Sequence, residues 1–346
     1  MKMFNKALAV QAFFFFIFFW LICFGLGYPT LNRYDPRTIE GLSDSVHYLN
    51  LVRFGPQEEV GHWRYRVLIP YLAKPIKHFV QGKIRTWDDA AFGLLFINSF
   101  FVASTALITL ILGLKLGSDY NVTLTASLIF LLNFTIANYH LSGNVDSGEN
   151  CLLLLVALAL VTNHWKFLPI LGIVGGLAKE TFIPLSFTLA TVYALWQPAN
   201  WRERTSHLIQ AFLLGIVSLL TVLTVQSLIN GQLILPWNII ASEHRTNNLT
   251  ISTFNCILGI SGKEFWYVFG WLLPLGAIRL RNFPRPLVYG SMAAAGVALI
   301  LGGWNACGGN VGRAVFNAIG PLLSLSVADL LNSLGNSWQL LQVNRR

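Results

Sequence analysis

Charge is scarce in this chain. Only 11% of its 346 residues are Asp, Glu, Lys or Arg, against roughly a quarter in ordinary soluble domains, and that shortage argues against a conventional water-soluble fold. Cysteine is sparse as well. Cys23, Cys151, Cys256 and Cys307 show no CxxC spacing, which excludes the common zinc frameworks and a thioredoxin-type centre. There is no repeat of fixed period, no low-complexity tract and no soluble second domain. Acidic residues are few beside basic ones, 15 against 24, for a net charge of +9. Basic residues that collect in short loops between apolar segments orient a protein in a bilayer, so no nucleic-acid partner is expected.

What the chain does have is apolar surface: 54% hydrophobic and 13% aromatic residues. These predict an all-α polytopic membrane protein. Lys2 and Lys6 precede the Phe-rich run 7–27, long enough at ~1.5 Å per residue to cross a hydrocarbon core of about 30 Å. The run exceeds the roughly 7 to 15 apolar residues of a signal peptide and no A-x-A site follows, so it reads as a retained span entering from the cytoplasm. Further apolar blocks occupy 90–114, 122–139, 151–162, 167–178, 182–196, 208–229, 265–278, 287–303 and 314–331. With the first, these make ten candidate spans in one transmembrane domain: first span 1–29, outer loop 30–89, remaining spans 90–334 and cytoplasmic tail 335–346. Gly172, Gly175 and Gly176 in a short block suit close helix packing.

Numbered from a cytoplasmic N-terminus, the cytoplasmic segments carry eleven basic residues (Lys2, Lys6, Lys115, Lys166, Arg202, Arg204, Arg279, Arg281, Arg285, Arg345, Arg346). The short outer loops carry four: Lys179, Arg245, Lys263 and Arg313. That asymmetry fits the positive-inside rule, but the outer loop 30–89, with nine more basic residues, breaks the count, at about the 60-residue length where the bias stops being informative. Cys256 and Cys307 fall on one outer side, which allows a disulfide. Cys23 and Cys151 read as inert core thiols, and His140, His164 and His207 as interfacial.

The polar interval 30–89 holds nine Lys or Arg and no uninterrupted span. Apolar residues recur there at helical spacing, which predicts amphipathic helices along the membrane interface. Asp44 precedes Tyr48 by four residues, so a helix places them on one face with His47 beside them. Such a carboxylate is either a general base for a bound hydroxyl or a solvated loop acid. Arg64 and Arg66 are suited to phosphate or, with Trp63, Tyr65 and Tyr71, to anchoring in headgroups. Lys179-Glu180 interrupts an apolar run, the mark of a cavity or of a short loop in headgroups. Asp146 and Glu149 sit in a brief outer stretch, 140–150, which reads as a solvated turn. Glu243-His244-Arg245 is a weak candidate for acceptor contact. Cys307 near Arg313 would need a base to act as a nucleophile, and no His follows it in the chain.

Together these phrases resemble the polytopic glycosyltransferases of the C superfamily (GT-C). The likeness is carried by Asp44 with Tyr48, by Tyr65-Arg66-Val67-Leu68-Ile69-Pro70-Tyr71-Leu72-Ala73, by Gly175-Gly176-Leu177-Ala178-Lys179-Glu180-Thr181, by Gly143-Asn144-Val145-Asp146, and by Gly312-Arg313 with Pro321. The adjacent acidic pair common in that superfamily is lacking: Asp44 stands alone, with Asp35 and Glu40 upstream. The resemblance implies transfer of a sugar from a polyprenyl-phosphate donor to a lipid, glycan or protein hydroxyl at the outer face of a bacterial inner membrane. Asp44 is then the catalytic base. His47, Tyr48, Arg64, Arg66, Asp146, Lys179, Glu180 and Arg313 are substrate-binding candidates, and a divalent cation is the one cofactor left open. A non-catalytic transporter or flippase for lipid-linked glycans, or a structural subunit handling them, would want similar features.

Overall fold

The computed structural model describes residues 6–34, 43–83, 87–236, 263–304 and 310–343. Glu243-His244-Arg245, Cys256, Cys307, Asp35 and Glu40 lie outside these. All regular structure in the described residues is helical. In chain order the helices are α1 (Lys6–Gly27), α2 (Ser43–Phe54), α3 (Leu68–Val80), α4 (Asp89–Lys115), α5 (Tyr120–Leu131), α6 (Asp146–Val161), α7 (Leu168–Ala178), α8 (Phe182–Trp196), α9 (Trp201–Asn230), α10 (Lys263–Phe269), α11 (Leu272–Arg279), α12 (Arg285–Trp304) and α13 (Asn310–Val343).

Four helical stretches are long and apolar enough to cross a membrane: Val10–Leu31, Asp89–Lys115, Trp201–Asn230 and Val311–Ser337. Four shorter apolar ones join them: Tyr120–Leu131, Trp165–Ala178, Phe182–Trp196 and Arg285–Leu301. The block expected over 265–278 is two short helices, α10 and α11, which meet at Gly270-Trp271. The block over 122–139 ends as a helix at Leu131 and resumes in a π-turn, Ile136–His140.

Solubility in lipid shows in what is inside and what is outside. Phe14 and Leu21 are 66% and 67% exposed on α1, and Phe212 and Leu220 are exposed on α9, while Asp146, Glu149, Lys179 and Arg313 are buried. A water-soluble fold reverses that arrangement. The middle of the bundle is α6, enclosed by α4, α7, α8 and α13. It is apolar on nearly every face from Cys151 to Leu160, as a helix surrounded by others must be. Cys23 and Cys151 are buried free thiols, as predicted.

Two helices fold back as a hairpin against α9. Gly172 and Gly176 of α7 stand where a Cβ would come within 2.9 Å of the Leu214 carbonyl oxygen and 2.7 Å of that of Ser218, a small-residue seam that lets the two backbones approach. Because 172 pairs with 214 and 176 with 218, α7 runs parallel to α9. The Phe182 ring covers Gly175, and Phe187 of α8 reaches Gly215, so α8 returns antiparallel. Lys179-Glu180-Thr181 is the reversal between them.

At one end of the bundle lie Lys115, Lys166, Arg202, Arg204, Arg279, Arg281 and Arg285, where Trp165 stacks on His207 at 4.1 Å and Arg279 donates to Ser333. At the other end, α2, α3 and the turns Glu58–Tyr65 cap the bundle. Asp88 caps α4 by accepting from the Ala90 and Ala91 amides at 3.0 and 2.9 Å, and it also pairs with Arg53 at the end of α2.

If the α7–α9 seam sets the position of the hairpin, Gly176→Leu overpacks it and costs about 1–3 kcal/mol, read as a lower unfolding temperature in detergent. Gly25→Leu, where nothing lies within 4 Å, is expected to leave that temperature unchanged; equal losses in both would refute the seam.

Candidate functional site

The site is built on the N-terminus of the central helix. Asp146 and Glu149 occupy the first turn of α6, where the helix dipole and unpaired backbone amides favour negative charge. At 16 residues that helix is ~24 Å long, shorter than a hydrocarbon core of about 30 Å. Its acidic end is sheltered by protein. The two carboxylates are 3% and 0% exposed. Carboxylates placed so deep demand cations.

The cations come from two other helix ends. Lys179, at the tip of the α7–α8 hairpin, places Nζ 2.6 Å from Asp146 Oδ1 and 3.4 Å from Glu149 Oε2. Arg313, near the start of α13, lies 3.3 Å from Asp146 Oδ2 and extends to Asp44 Oδ2 at 2.7 Å. Its guanidinium also sits 5.3 Å from the Tyr139 ring centroid, within cation–π range. Glu149 accepts from the Thr181 hydroxyl and, at 2.8 Å, from the Asn317 amide. Asn317 in turn accepts from Asn150 at 3.2 Å.

A second pair closes the outer side. Arg66 Nε donates to both oxygens of Glu180, at 3.1 and 3.0 Å, and its NH1 donates to the Tyr48 hydroxyl at 2.6 Å. Burial pushes the Tyr48 hydroxyl up to about 12, with the Arg66 charge the largest opposing influence, so it stays protonated at physiological pH. Asp44 and Glu180 are the partly exposed members of the cluster, at 23% and 24%. They form its rim, and Asp146 and Glu149 its floor.

The structure thus gathers Asp44, Tyr48, Arg66, Asp146, Lys179, Glu180 and Arg313 in one place. The predicted pairing of Asp44 and Tyr48 on one helix face holds: one meets Arg313 and the other Arg66. Two candidates stand aside. His47 stacks on Trp63 with centroids 4.1 Å apart, and His62 stacks on the same indole at 4.0 Å. Arg64 donates to Asn230 at the end of α9, at 2.6 Å, and to the Tyr65 hydroxyl. His62 is held below its ordinary range by burial and then by the Arg66 charge, which keeps it neutral near pH 7.

Two expectations are corrected. The stretch 140–150 is no solvated turn: Asp146, Ser147, Glu149 and Asn150 are buried at the start of α6, because the ion pairs from the α7–α8 reversal and from α13 replace water. His140 is not interfacial but fully buried, edge-on to Phe316, and neither of its ring nitrogens has a hydrogen-bond partner of good geometry. Glu149, Thr181 and Asn317 are members that the sequence reading did not assign. The spacing of Glu149 three residues after Asp146 was the available signal; nothing local marked Asn317.

Four carboxylates (Asp44, Asp146, Glu149, Glu180) meet three cations (Arg66, Lys179, Arg313), for a formal charge of −1. Each of these three cations already has a carboxylate partner, whereas Arg64 bonds only Asn230 and the Tyr65 hydroxyl. Among the described residues no group of three His, Cys, Asp or Glu is arranged to hold a metal ion.

Arg66→Ala strands Glu180 and is expected to cost about 3–5 kcal/mol in detergent unfolding, because one charge is left uncompensated. Replacing both partners by Met should restore most of that, and strictly additive effects in the double variant would show the pair to be uncoupled. Arg53→Ala, at a pair 31% exposed on the arginine side, should cost no more than about 1 kcal/mol. Neither the protein-family models nor the curated proteins offer a match to this chain, so the reading of the site rests on the residues themselves.

Proposed function

We propose that the protein is a membrane glycosyltransferase of the GT-C kind, moving a sugar from a polyprenyl-phosphate donor to a hydroxyl of a lipid, glycan or protein at the outer face of a bacterial inner membrane. In this reading the chain crosses ten times from a cytoplasmic N-terminus, and the basic end of the bundle faces the cytoplasm. The observation that carries it is the placement of Asp44. Its carboxylate lies on the rim of a charged cluster, held by Arg313 at 2.7 Å, at the end of the bundle away from the basic loops.

The chemistry follows from that placement. The acceptor hydroxyl gives its proton to an Asp44 oxygen as its own oxygen attacks the anomeric carbon. The bond from that carbon to the phosphate oxygen breaks on the opposite face, with inversion, and the lipid phosphate leaves with the electron pair. Arg313 and Arg66 are the cations close enough to the rim to stabilise the departing charge. Tyr48, buried and neutral, steadies Arg66 by accepting from its guanidinium. Asp146, Lys179 and Glu149 hold Arg313 in position from beneath.

The internal pairing of all three cations favours a rival in which the cluster is structural, in a carrier or scaffold for lipid-linked glycans that performs no transfer. The two readings part at Asp44. Asp44→Asn keeps the shape and removes the base, and is expected to lower transfer by a factor of about 10²–10⁴. Arg313 keeps its contact with Asp146, so the variant should accumulate normally. The measurement is glycan profiling of a deletion strain complemented with either form; full glycosylation by Asp44→Asn would end the general-base assignment.

A further inference from the structure

One face of α3 is turned away from the bundle. Ile69, Pro70, Ala73 and Val80 are buried, with the Ala73 carbonyl oxygen 2.7 Å from where a Gly93 Cβ would stand on α4. Tyr71, Leu72 and Phe79 are exposed, Phe79 by 70%, and Lys74, Lys77 and His78 lie between them, with Lys83 just beyond. Lys74 Nζ sits 4.1 Å from the Tyr71 ring centroid, and Lys83 Nζ 4.1 Å from that of Phe79.

Among the described residues these ammonium groups have no counter-charge. The chain carries no acidic residue between Glu59 and Asp88, and among the described residues no salt bridge involves Lys74, Lys77 or Lys83. Burial, and then the Lys77 charge three residues on, hold the Lys74 ammonium below its ordinary value. The exposed apolar faces in the middle of α1 and α9 differ: Phe13, Phe14 and Leu21 on α1, and Phe212 and Leu220 on α9, have no charge among them, as suits hydrocarbon. Rings and lysine stems that accept acyl chains, with ammonium groups among them, complement a lipid boundary rich in phosphate.

We propose that α3 is a binding surface for anionic lipid headgroups. Val67 alone separates Arg66 from this helix, so a lipid phosphate gathered by Lys74 and Lys77 lies ~9–14 Å along it from the end that carries Arg66. Its purpose, delivery of a lipid-phosphate donor sideways from the bilayer, rests on the glycosyltransferase reading; the binding itself does not.

The test titrates the purified full chain, in neutral detergent, with dioleoyl phosphatidylglycerol or dioleoyl phosphatidylcholine and counts lipid adducts by native mass spectrometry. Phosphatidylglycerol should bind at lower concentration. Lys74→Gln, Lys77→Gln and Lys83→Gln together should raise the concentration for half occupancy by roughly fivefold per charge, and the three Lys→Arg changes should preserve binding. Should the triple Gln variant not fold, Lys77→Gln alone carries the comparison at about fivefold. Equal occupancy by the two lipids in the wild type, or unchanged phosphatidylglycerol binding after the Gln substitutions, overturns the proposal. Asp44→Asn serves as the separating arm: it should lose transfer and keep lipid binding, so failure of one reading is visible apart from failure of the other.

Discussion

An ion taken out of water needs its opposite within reach, and the outer end of this bundle is arranged around that requirement. The central helix begins with two buried carboxylates, Asp146 and Glu149. Left alone at that depth, each would carry a desolvation cost of several kcal/mol. Lys179 and Arg313 remove that cost, and both are delivered by chain reversals or helix starts outside the central helix. The ends of α6, the α7–α8 hairpin and α13 are thus brought to one level by charge, whatever fixes the paths of the helices below.

Helix length supplies the rest of the geometry. Eleven residues in α7 and fifteen in α8 give ~16 and ~22 Å, less than the bilayer core, while α9 at 30 residues extends past both. The hairpin tip therefore stops short of the end of α9, deep enough to meet Asp146. The reversal is polar because it lands there: an apolar pair at 179 and 180 would leave Asp146 with Arg313 alone and Arg66 with the Tyr48 hydroxyl alone. The glycines of α7 make the close approach to α9 sterically available, and so fix the height at which Lys179 is presented.

Much of this was readable from the chain. The runs that became α1, α4 and α12 stand within a few residues of their apolar blocks, because a long uncharged run has few alternatives in lipid, while α9 begins well before its block, at Trp201. Lys179-Glu180 announced a break for the same reason. The polar interval disclosed two amphipathic helices and the acid–tyrosine spacing of α2. What stayed hidden was whatever depends on partners far away in sequence. Asp146 and Glu149 looked solvated because their cations lie 33 and 167 residues on for Lys179 and Arg313 relative to Asp146. His140 looked interfacial because one histidine between Tyr139 and Leu141 says nothing about the Phe316 ring that covers it. The break at Gly270-Trp271 was masked by an apolar composition that suits one helix as well as two.

The outer cap touches the bundle through oil and through guanidinium. Leu49, Leu51, Val52, Ile69 and Ala73 supply the oil, which holds the cap down without dictating where it sits. Four arginines supply the register: Arg53 to Asp88, Arg64 to Asn230, Arg66 to Glu180, and Arg313 reaching up to Asp44. A planar fork fixes direction as well as distance, which a flexible ammonium does not. Lysine at any of these four positions would keep the electrical sum and surrender the compass, leaving a cap still attached but free to settle at the wrong bearing.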